Sequence, residues 1–193
     1  STAARDLALT GVSVVASGNL TAGRDIAISA TGGNISLVGA SAGDDVVLRA
    51  TGSIAASSSI VSGAGTRIDE DGVGDALAGG LVTGNDVDST STGGTFAAVT
   101  ANGGDSDVYI NSGTAALSVG VVNAGRDIDL DSAVVGTGAL TAGRDVDLIA
   151  RAGALSVAMA TAARDVSLNG QSVSVAGNLS AGRDIAVQAQ AGK

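Results

Sequence analysis

The stretch GNLTAGRDIAISATGGNISLVGA, residues 18–40, contains the pattern that decides the fold. Its central phrase, AGRDIAI from Ala22, recurs with small changes at intervals of roughly twenty residues. The nine copies begin at Ala3, Ala22, Ala42, Thr83, Gly104, Ala124, Ala142, Ala162 and Ala181. A degenerate tenth copy begins at Ala64 and carries Arg67 in the aspartate position. A fixed period of this length is typical of a solenoid, in which each repeat is one structural unit stacked on its neighbours.

Within one repeat, apolar and polar residues alternate with a period of two, which indicates β-strands. Ile26 and Ile28 are expected to point inward, and Ile35 and Leu37 form a second inward pair after the Thr31–Asn34 turn. A third, weaker strand precedes the next phrase. The sequence therefore predicts an all-β parallel β-helix, or solenoid, of about ten coils with three short strands per coil. The thirty glycines are expected at corners that require positive φ.

We expect a single β-helix array over residues 1–193, with regular coils in residues 1–66 and 113–193. Residues 67–112 are acidic, rich in glycine and irregular in spacing, and they are expected to form divergent coils with bulged or extended loops. The chain begins and ends inside a repeat, which favours an excerpt of a longer rod or a subunit that stacks end to end.

Composition argues against several classes of function. The net charge of -9 and the single lysine, Lys193, disfavour nucleic-acid binding. Cysteine and histidine are absent, nucleophile motifs are lacking, and no apolar run is long enough to span a membrane. The carboxylate pairs Asp129/Asp131 and Asp145/Asp147 are expected on a flat, exposed face, where raised pKa values are not expected. We therefore expect a protein that is not an enzyme.

The Arg-Asp pair of the phrase is the first candidate for a functional surface. Stacking would place like charges about 5 Å apart, and the alternation of Arg and Asp columns would offset their repulsion through ion pairs between coils. The predicted structural ladder comprises Arg24, Asp25, Arg126, Asp127, Arg144, Asp145, Arg183 and Asp184. A second column of hydroxyl and amide side chains precedes it, formed by Thr2, Thr21, Ser41, Asn123, Thr141, Thr161 and Ser180.

The second candidate is an acidic, glycine-containing loop with Asp69, Asp71 and Asp75. Alternating carboxylates can wrap Ca²⁺, which takes six to eight oxygen ligands. The spacing of an EF-hand is missing, so a solvated acidic loop and a calcium site both stay open. No other cofactor is expected.

The motifs GNLTAGRDIAI (Gly18 to Ile28), GALTAGRDVDL (Gly138 to Leu148) and GNLSAGRDIAV (Gly177 to Val187) resemble the repeats of filamentous haemagglutinin-like proteins. These are bacterial exoproteins of two-partner secretion systems. The resemblance implies a right-handed β-helix, passage through an outer-membrane transporter, location at the cell surface, and a role as an adhesin shaft or fibre. The implied partner is a receptor or glycan on a host or neighbouring cell.

Three functional interpretations follow. The chain is a shaft that projects or mediates adhesion, a filament subunit that associates end to end, or the stalk of a contact-dependent toxin carrier. An adhesive patch within residues 67–112 is a further hypothesis.

Overall fold

In a computed structural model the chain is all-β, and its parallel strands stack as a solenoid of about eight turns with roughly 20 residues per turn. The structure describes residues 1–63, 87–90 and 93–190, with residues 87–90 described by their backbone alone. Among these residues, no helix is long and apolar enough to cross a membrane. The predicted fold class is confirmed.

The described residues contain nineteen strands. In the first half these are β1 (Thr2–Ala3), β2 (Leu7–Gly11), β3 (Val14–Ala16), β4 (Leu20–Ala22), β5 (Ile26–Ala30), β6 (Ile35–Leu37), β7 (Ala40–Ala42), β8 (Val46–Ala50), β9 (Ser53–Ser62) and β10 (Val87–Thr90). The second half contains β11 (Gly93–Ala101), β12 (Val108–Asn111), β13 (Ala116–Ala124), β14 (Ile128–Ser132), β15 (Val134–Ala142), β16 (Val146–Ala162), β17 (Asp165–Val175), β18 (Leu179–Ala181) and β19 (Asp184–Ala189).

Each turn of the solenoid has three faces, and every pairing between the described strands is parallel. The ladder face, which follows the Arg-Asp pair, is formed by β2, β5, β8, β10, β12, β14, the starts of β16 and β17, and β19. The hydroxyl face, which precedes the pair, is formed by β1, β4, β7, the ends of β9, β11, β13, β15 and β16, and β18. The third face lies between them.

The core is a narrow column of aliphatic side chains, to which the described residues add one aromatic side chain, Phe96. Ile26, Ile28, Ile35 and Leu37 are all buried, as the alternation predicts. Burying a side chain of this size contributes about 1.5–3 kcal/mol, so each coil gains most of its stability from a few residues. In the C-terminal half, β16 continues through all three faces of one coil as a single strand of 17 residues.

The corner glycines are required by close stacking, and the expectation of positive φ was wrong. Among the described glycines only Gly113 has positive φ, at 57°. A Cβ on Gly143 would lie 1.9 Å from the carbonyl oxygen of Gly125 in the preceding coil, and one on Gly43 would lie 2.2 Å from that of Gly23. Real Cβ atoms essentially never approach so closely. The glycine therefore lets successive turns stack backbone on backbone.

The stack is shorter than the ten coils predicted. β8 pairs directly with β10 through Val46 and Val87, and β9 pairs with β11, so these two coils are immediate neighbours. The count of about eight turns is therefore lower than the ten predicted, and the expected coil around Arg67 lies outside the described residues. Of the divergent segment, β11 (Gly93–Ala101) and β12 (Val108–Asn111) pair within the stack, with one register shift between Phe96 and Ala98.

Candidate functional site

The Arg-Asp pair lies in the turn that joins the hydroxyl face to the ladder face. Its backbone is held by hydrogen bonds between successive turns: the Arg144 N–H donates to the Arg126 carbonyl at 2.8 Å, and the Arg164 N–H donates to the Arg144 carbonyl at 2.8 Å. Because equivalent residues bond to each other, the turns stack in register. Their side chains are thereby brought into columns along the rod.

Each ladder arginine reaches back to the aspartate of the preceding coil. The Arg24 guanidinium donates two hydrogen bonds to Asp6, Nε to Oδ1 at 2.7 Å and Nη2 to Oδ2 at 2.8 Å. The same two-bond geometry recurs along the C-terminal half in the pairs Arg126–Asp107, Arg144–Asp127, Arg164–Asp145 and Arg183–Asp165. Such bidentate pairs are stronger and more directional than single contacts.

The aspartates have a second role in the stack. Oδ1 of Asp127 also accepts a hydrogen bond from the backbone N–H of Asp145 at 3.1 Å, and Asp145 accepts from the Asp165 N–H at 3.2 Å. The carboxylate accepts from the backbone of the following coil, not from that of its own turn. Each carboxylate therefore joins two coils through both side chain and backbone.

The pKa values of the ladder follow exposure and pairing. The hydrogen bonds from Arg24 lower the pKa of Asp6, and those from Arg183 lower the pKa of Asp165, so both groups favour the ionised form. Burial raises the pKa of Asp107 despite its pairing with Arg126. Hydrogen bonding to Asp145 raises the pKa of Arg164. Pairing between coils thus favours the charged forms of Asp6, Asp165 and Arg164.

The structure divides the predicted ladder into two runs. In the N-terminal run, Arg24 lies between Asp6 and Asp25, 3.2 Å from the Asp25 carboxylate. The C-terminal run includes the predicted Arg126, Asp127, Arg144, Asp145, Arg183 and Asp184, with each arginine also 3.4–3.5 Å from the aspartate that follows it. Between the runs, the position that holds arginine in the ladder copies is occupied by Asp44, Asn85 and Ser106, which breaks the pattern.

Asp44 helps to form a cluster of three carboxylates. One oxygen from each of Asp25, Asp44 and Asp45 lies within 4.8 Å of the others, and all three residues are partly buried. Such a group has the ligand type and spacing of a cation site, although acidic clusters on protein surfaces are common without a metal. The replacement of Arg by Asp in AGDDVVL is the sequence signal for this cluster. The predicted calcium candidates Asp69, Asp71 and Asp75 lie outside the described residues.

A second ion pair between coils joins Asp131 and Arg151, and sequence reasoning missed it. The Arg151 guanidinium donates two hydrogen bonds to Asp131, whose exposed fraction is 6%. Hydrogen bonding to Asp131 raises the pKa of Arg151. Asp131 and Arg151 are twenty residues apart, which is the length of one coil. That separation was the signal in the sequence that could have predicted the pair.

A shallow groove of about 320 Å³ runs beside the C-terminal part of the ladder. Its polar lining consists of Asp127, Asp129, Asp145, Asp147, Asp165 and Ser167. Asp129 and Asp147 are in direct register on neighbouring strands. Burial, followed by repulsion from Asp147 and Asp131, raises the pKa of Asp129 from 3.8 to about 6. The expectation of an exposed face was therefore wrong for Asp131, which is buried, and for Asp129, Asp145 and Asp147, which are half-buried. The expectation that no pKa is raised was wrong for Asp129.

The hydroxyl and amide column runs along the hydroxyl face and is interrupted by one valine, Val61. The register connects all seven predicted members, with Val61 and Thr100 between Ser41 and Asn123. All seven predicted side chains are exposed. Val61 and Thr100 were not recognised because the phrase decays in that part of the chain.

Asp127→Asn and Asp127→Ala separate the two roles of a ladder aspartate. We expect Asp127→Asn to lower the free energy of unfolding by about 0.5–1 kcal/mol, because Asn keeps an oxygen for the Asp145 N–H but loses the charge. Asp127→Ala is expected to cost about 1–2 kcal/mol, because it loses the acceptor as well. Urea unfolding followed by circular dichroism measures both.

Asp105→Asn, at an exposed position outside the ladder, is the matched control for loss of one carboxylate. In salt on the order of 1 M, screening should reduce the effect of Asp127→Asn and preserve the extra cost of Asp127→Ala. Equal costs for the two Asp127 variants at low and high salt would contradict the backbone role.

Comparison of the chain with protein-family models, with curated proteins and with solved structures finds no match.

Proposed function

We propose that this chain is a structural shaft segment of a secreted bacterial surface adhesin of the filamentous haemagglutinin-like type, which mediates or projects cell adhesion. The observation that carries the proposal is the unbroken parallel stacking of coils, each hydrogen-bonded to the next. Each coil added to such a solenoid lengthens the rod by about 4.8 Å and leaves its cross-section unchanged. A shaft needs this combination of length and constant width.

The side chains support a structural role for the surface. Ladder arginines and aspartates pair with each other between coils, so their charges hold the rod together. The hydroxyl face presents a line of small polar side chains, with Val61 as one apolar member. We propose that the chain is not an enzyme, and that recognition of a receptor or glycan on a host or neighbouring cell belongs to the adhesin as a whole.

Location at the cell surface, and passage through an outer-membrane transporter, are proposed from the resemblance of the AGRD phrases. Two features are consistent with such a route. The chain has no cysteine, so it needs no disulfide chemistry to fold after export. Its contacts also join each coil mainly to adjacent coils, which allows folding to propagate along the rod.

A self-assembling filament subunit is the second candidate. Ile185 and Val187 align with the buried Val166 and Leu168, yet they are 48% and 50% exposed in the last described coil. A further coil stacked there, whichever chain supplies it, would cover them. The stalk of a toxin carrier requires the same rod and differs in what the rod projects.

Electron microscopy of the purified chain across a range of concentrations tests these alternatives. The shaft proposal predicts rods of constant length, whereas filaments that lengthen with concentration would favour the subunit. Deleting residues 143–162, one full period, should shorten the rod by about 4.8 Å and preserve the fold. The control deletion of residues 143–152 puts the inward residues out of phase and should prevent folding.

Antibody labelling of intact producing cells tests the proposed location. Labelling that is lost after external protease treatment is expected. Labelling seen only after the cells are permeabilised would contradict secretion.

A further inference from the structure

Asp129 and Asp147 form a pair of like charges on the ladder face. They occupy equivalent outward positions on β14 and β16, and their Cα atoms are register partners in a parallel pairing. Neighbouring strands lie about 4.8 Å apart, so the two carboxyl groups are held side by side by the backbone of two coils. Like charges directly opposite each other destabilise a sheet.

The nearby arginines pair with other carboxylates. Arg144 bonds to Asp127 and also approaches Asp145, while Arg151 bonds to Asp131. Arg151 therefore offsets only part of the negative charge around Asp129. The groups that face Asp129 are Tyr109 on β12, Asp147 on β16, Asp131 on its own strand, Asp127 in the preceding turn, and Arg151, with Asp145 and Asp165 further along the groove.

We propose that the Asp129–Asp147 pair binds one proton at mildly acidic pH, and that this proton strengthens the contact between the two coils. The neutral carboxyl removes the repulsion with its neighbour and suits a partly buried position better than a carboxylate does. This property belongs to the stack itself and does not depend on the proposed role as a shaft.

The direction of the pH effect follows from linkage. Because the fold raises the pKa of Asp129 from 3.8 to about 6, the folded state binds more protons than the unfolded state within this window. Stability from this group therefore falls as pH rises from about 4 to about 6 and changes little above that range. Burial raises the pKa of Asp107 as well, so this group changes stability with pH in the same direction as Asp129. The pKa values of Asp6 and Asp165 are lowered, so these two groups lose stability as pH falls. A global unfolding curve therefore mixes the effects of several groups.

A titration that resolves each carboxyl group avoids this mixture. In the full chain labelled with ¹³C-carboxyl aspartate, nuclear magnetic resonance should show one signal with a midpoint near pH 6. Asp129→Asn should remove that signal. Asp147→Asn should keep the signal and lower its midpoint by about one pH unit, because one like charge about 5 Å away is lost. The midpoint should stay above 3.8, since burial is the largest cause of the shift.

Asp105→Asn is the matched control, since it removes an exposed carboxyl group and should leave the midpoint near pH 6 unchanged. Amide exchange of β14 and β16 should be slower at pH 5 than at pH 7, after correction for intrinsic rates, in the wild type and not in Asp129→Asn. The proposal is overturned if no aspartate titrates above pH 5, or if Asp147→Asn leaves the midpoint unchanged. It is equally overturned if exchange in β14 and β16 shows the same pH dependence in the wild type and in Asp129→Asn.

Discussion

Ile128→Asp is expected to lower the free energy of unfolding of the surrounding coils by about 4–5 kcal/mol or more. Ile128 is 1% exposed and stacks between Val108 and Val146 in the inward column. A carboxylate at this position would have neither water nor a counter-charge, since the column is aliphatic. Thermal and urea unfolding, together with native-state amide exchange, measure the loss.

The solenoid also predicts where the damage lies. Coils contact only their neighbours, so amides of β12, β14 and β16 should lose protection while those of β2 and β5 keep it. Thr141→Asp, at an exposed position on the hydroxyl face, is the control for an added charge and should cost less than about 0.5 kcal/mol. Uniform loss of protection across all coils would contradict a one-dimensional model of stability.

Gly125→Ala is expected to cost about 3 kcal/mol, because its Cβ would lie 1.5 Å from the carbonyl oxygen of Gly103. The clash is with backbone, so relief requires the turn to move away from the preceding coil. Ala163 occupies the equivalent place in its own repeat. Its N–H donates to the Ala142 carbonyl at 3.3 Å, whereas the Gly125 N–H donates to the Ala101 carbonyl at 3.1 Å. Urea unfolding of the variant gives the cost.

Gly104→Ala provides the comparison, since a Cβ there meets nothing within 4 Å and φ is not positive. Its stability should equal or slightly exceed that of the wild type, because alanine restricts the unfolded chain more than glycine does. If Gly125→Ala proved as stable as Gly104→Ala, close stacking would not explain the glycine of the phrase.

Much of the fold was predictable because the repeat combines two independent signals. The period of about twenty residues indicates a solenoid, and the alternation within it identifies inward residues such as Ile26 and Leu37, which are buried. The coil count was overestimated, at about ten against about eight turns. Copies of a short phrase do not reveal which coils are neighbours, because that depends on which strands pair, and Val46 pairs with Val87.

The sequence predicted which residues form the candidate site, but not all of the ion pairs between them. Alternation placed Arg144 and Asp145 outside, whereas the backward reach of Arg144 to Asp127 depends on the offset between coils. The Asp131–Arg151 pair and the raised pKa of Asp129 were missed for the same reason. Both arise from residues one coil apart, and their burial depends on what the adjacent coils place over them.

The sequence by itself determined that this chain is a repeated, parallel, all-β rod with an aliphatic core and a line of Arg-Asp pairs outside. That information is local, because period and alternation can be read within one or two repeats. Tertiary structure decided which coils are neighbours, why the corner residue is glycine, and which carboxylates share a groove. These properties depend on distances of a few ångströms between residues about twenty positions apart. Only the register of the stacked backbone sets these distances.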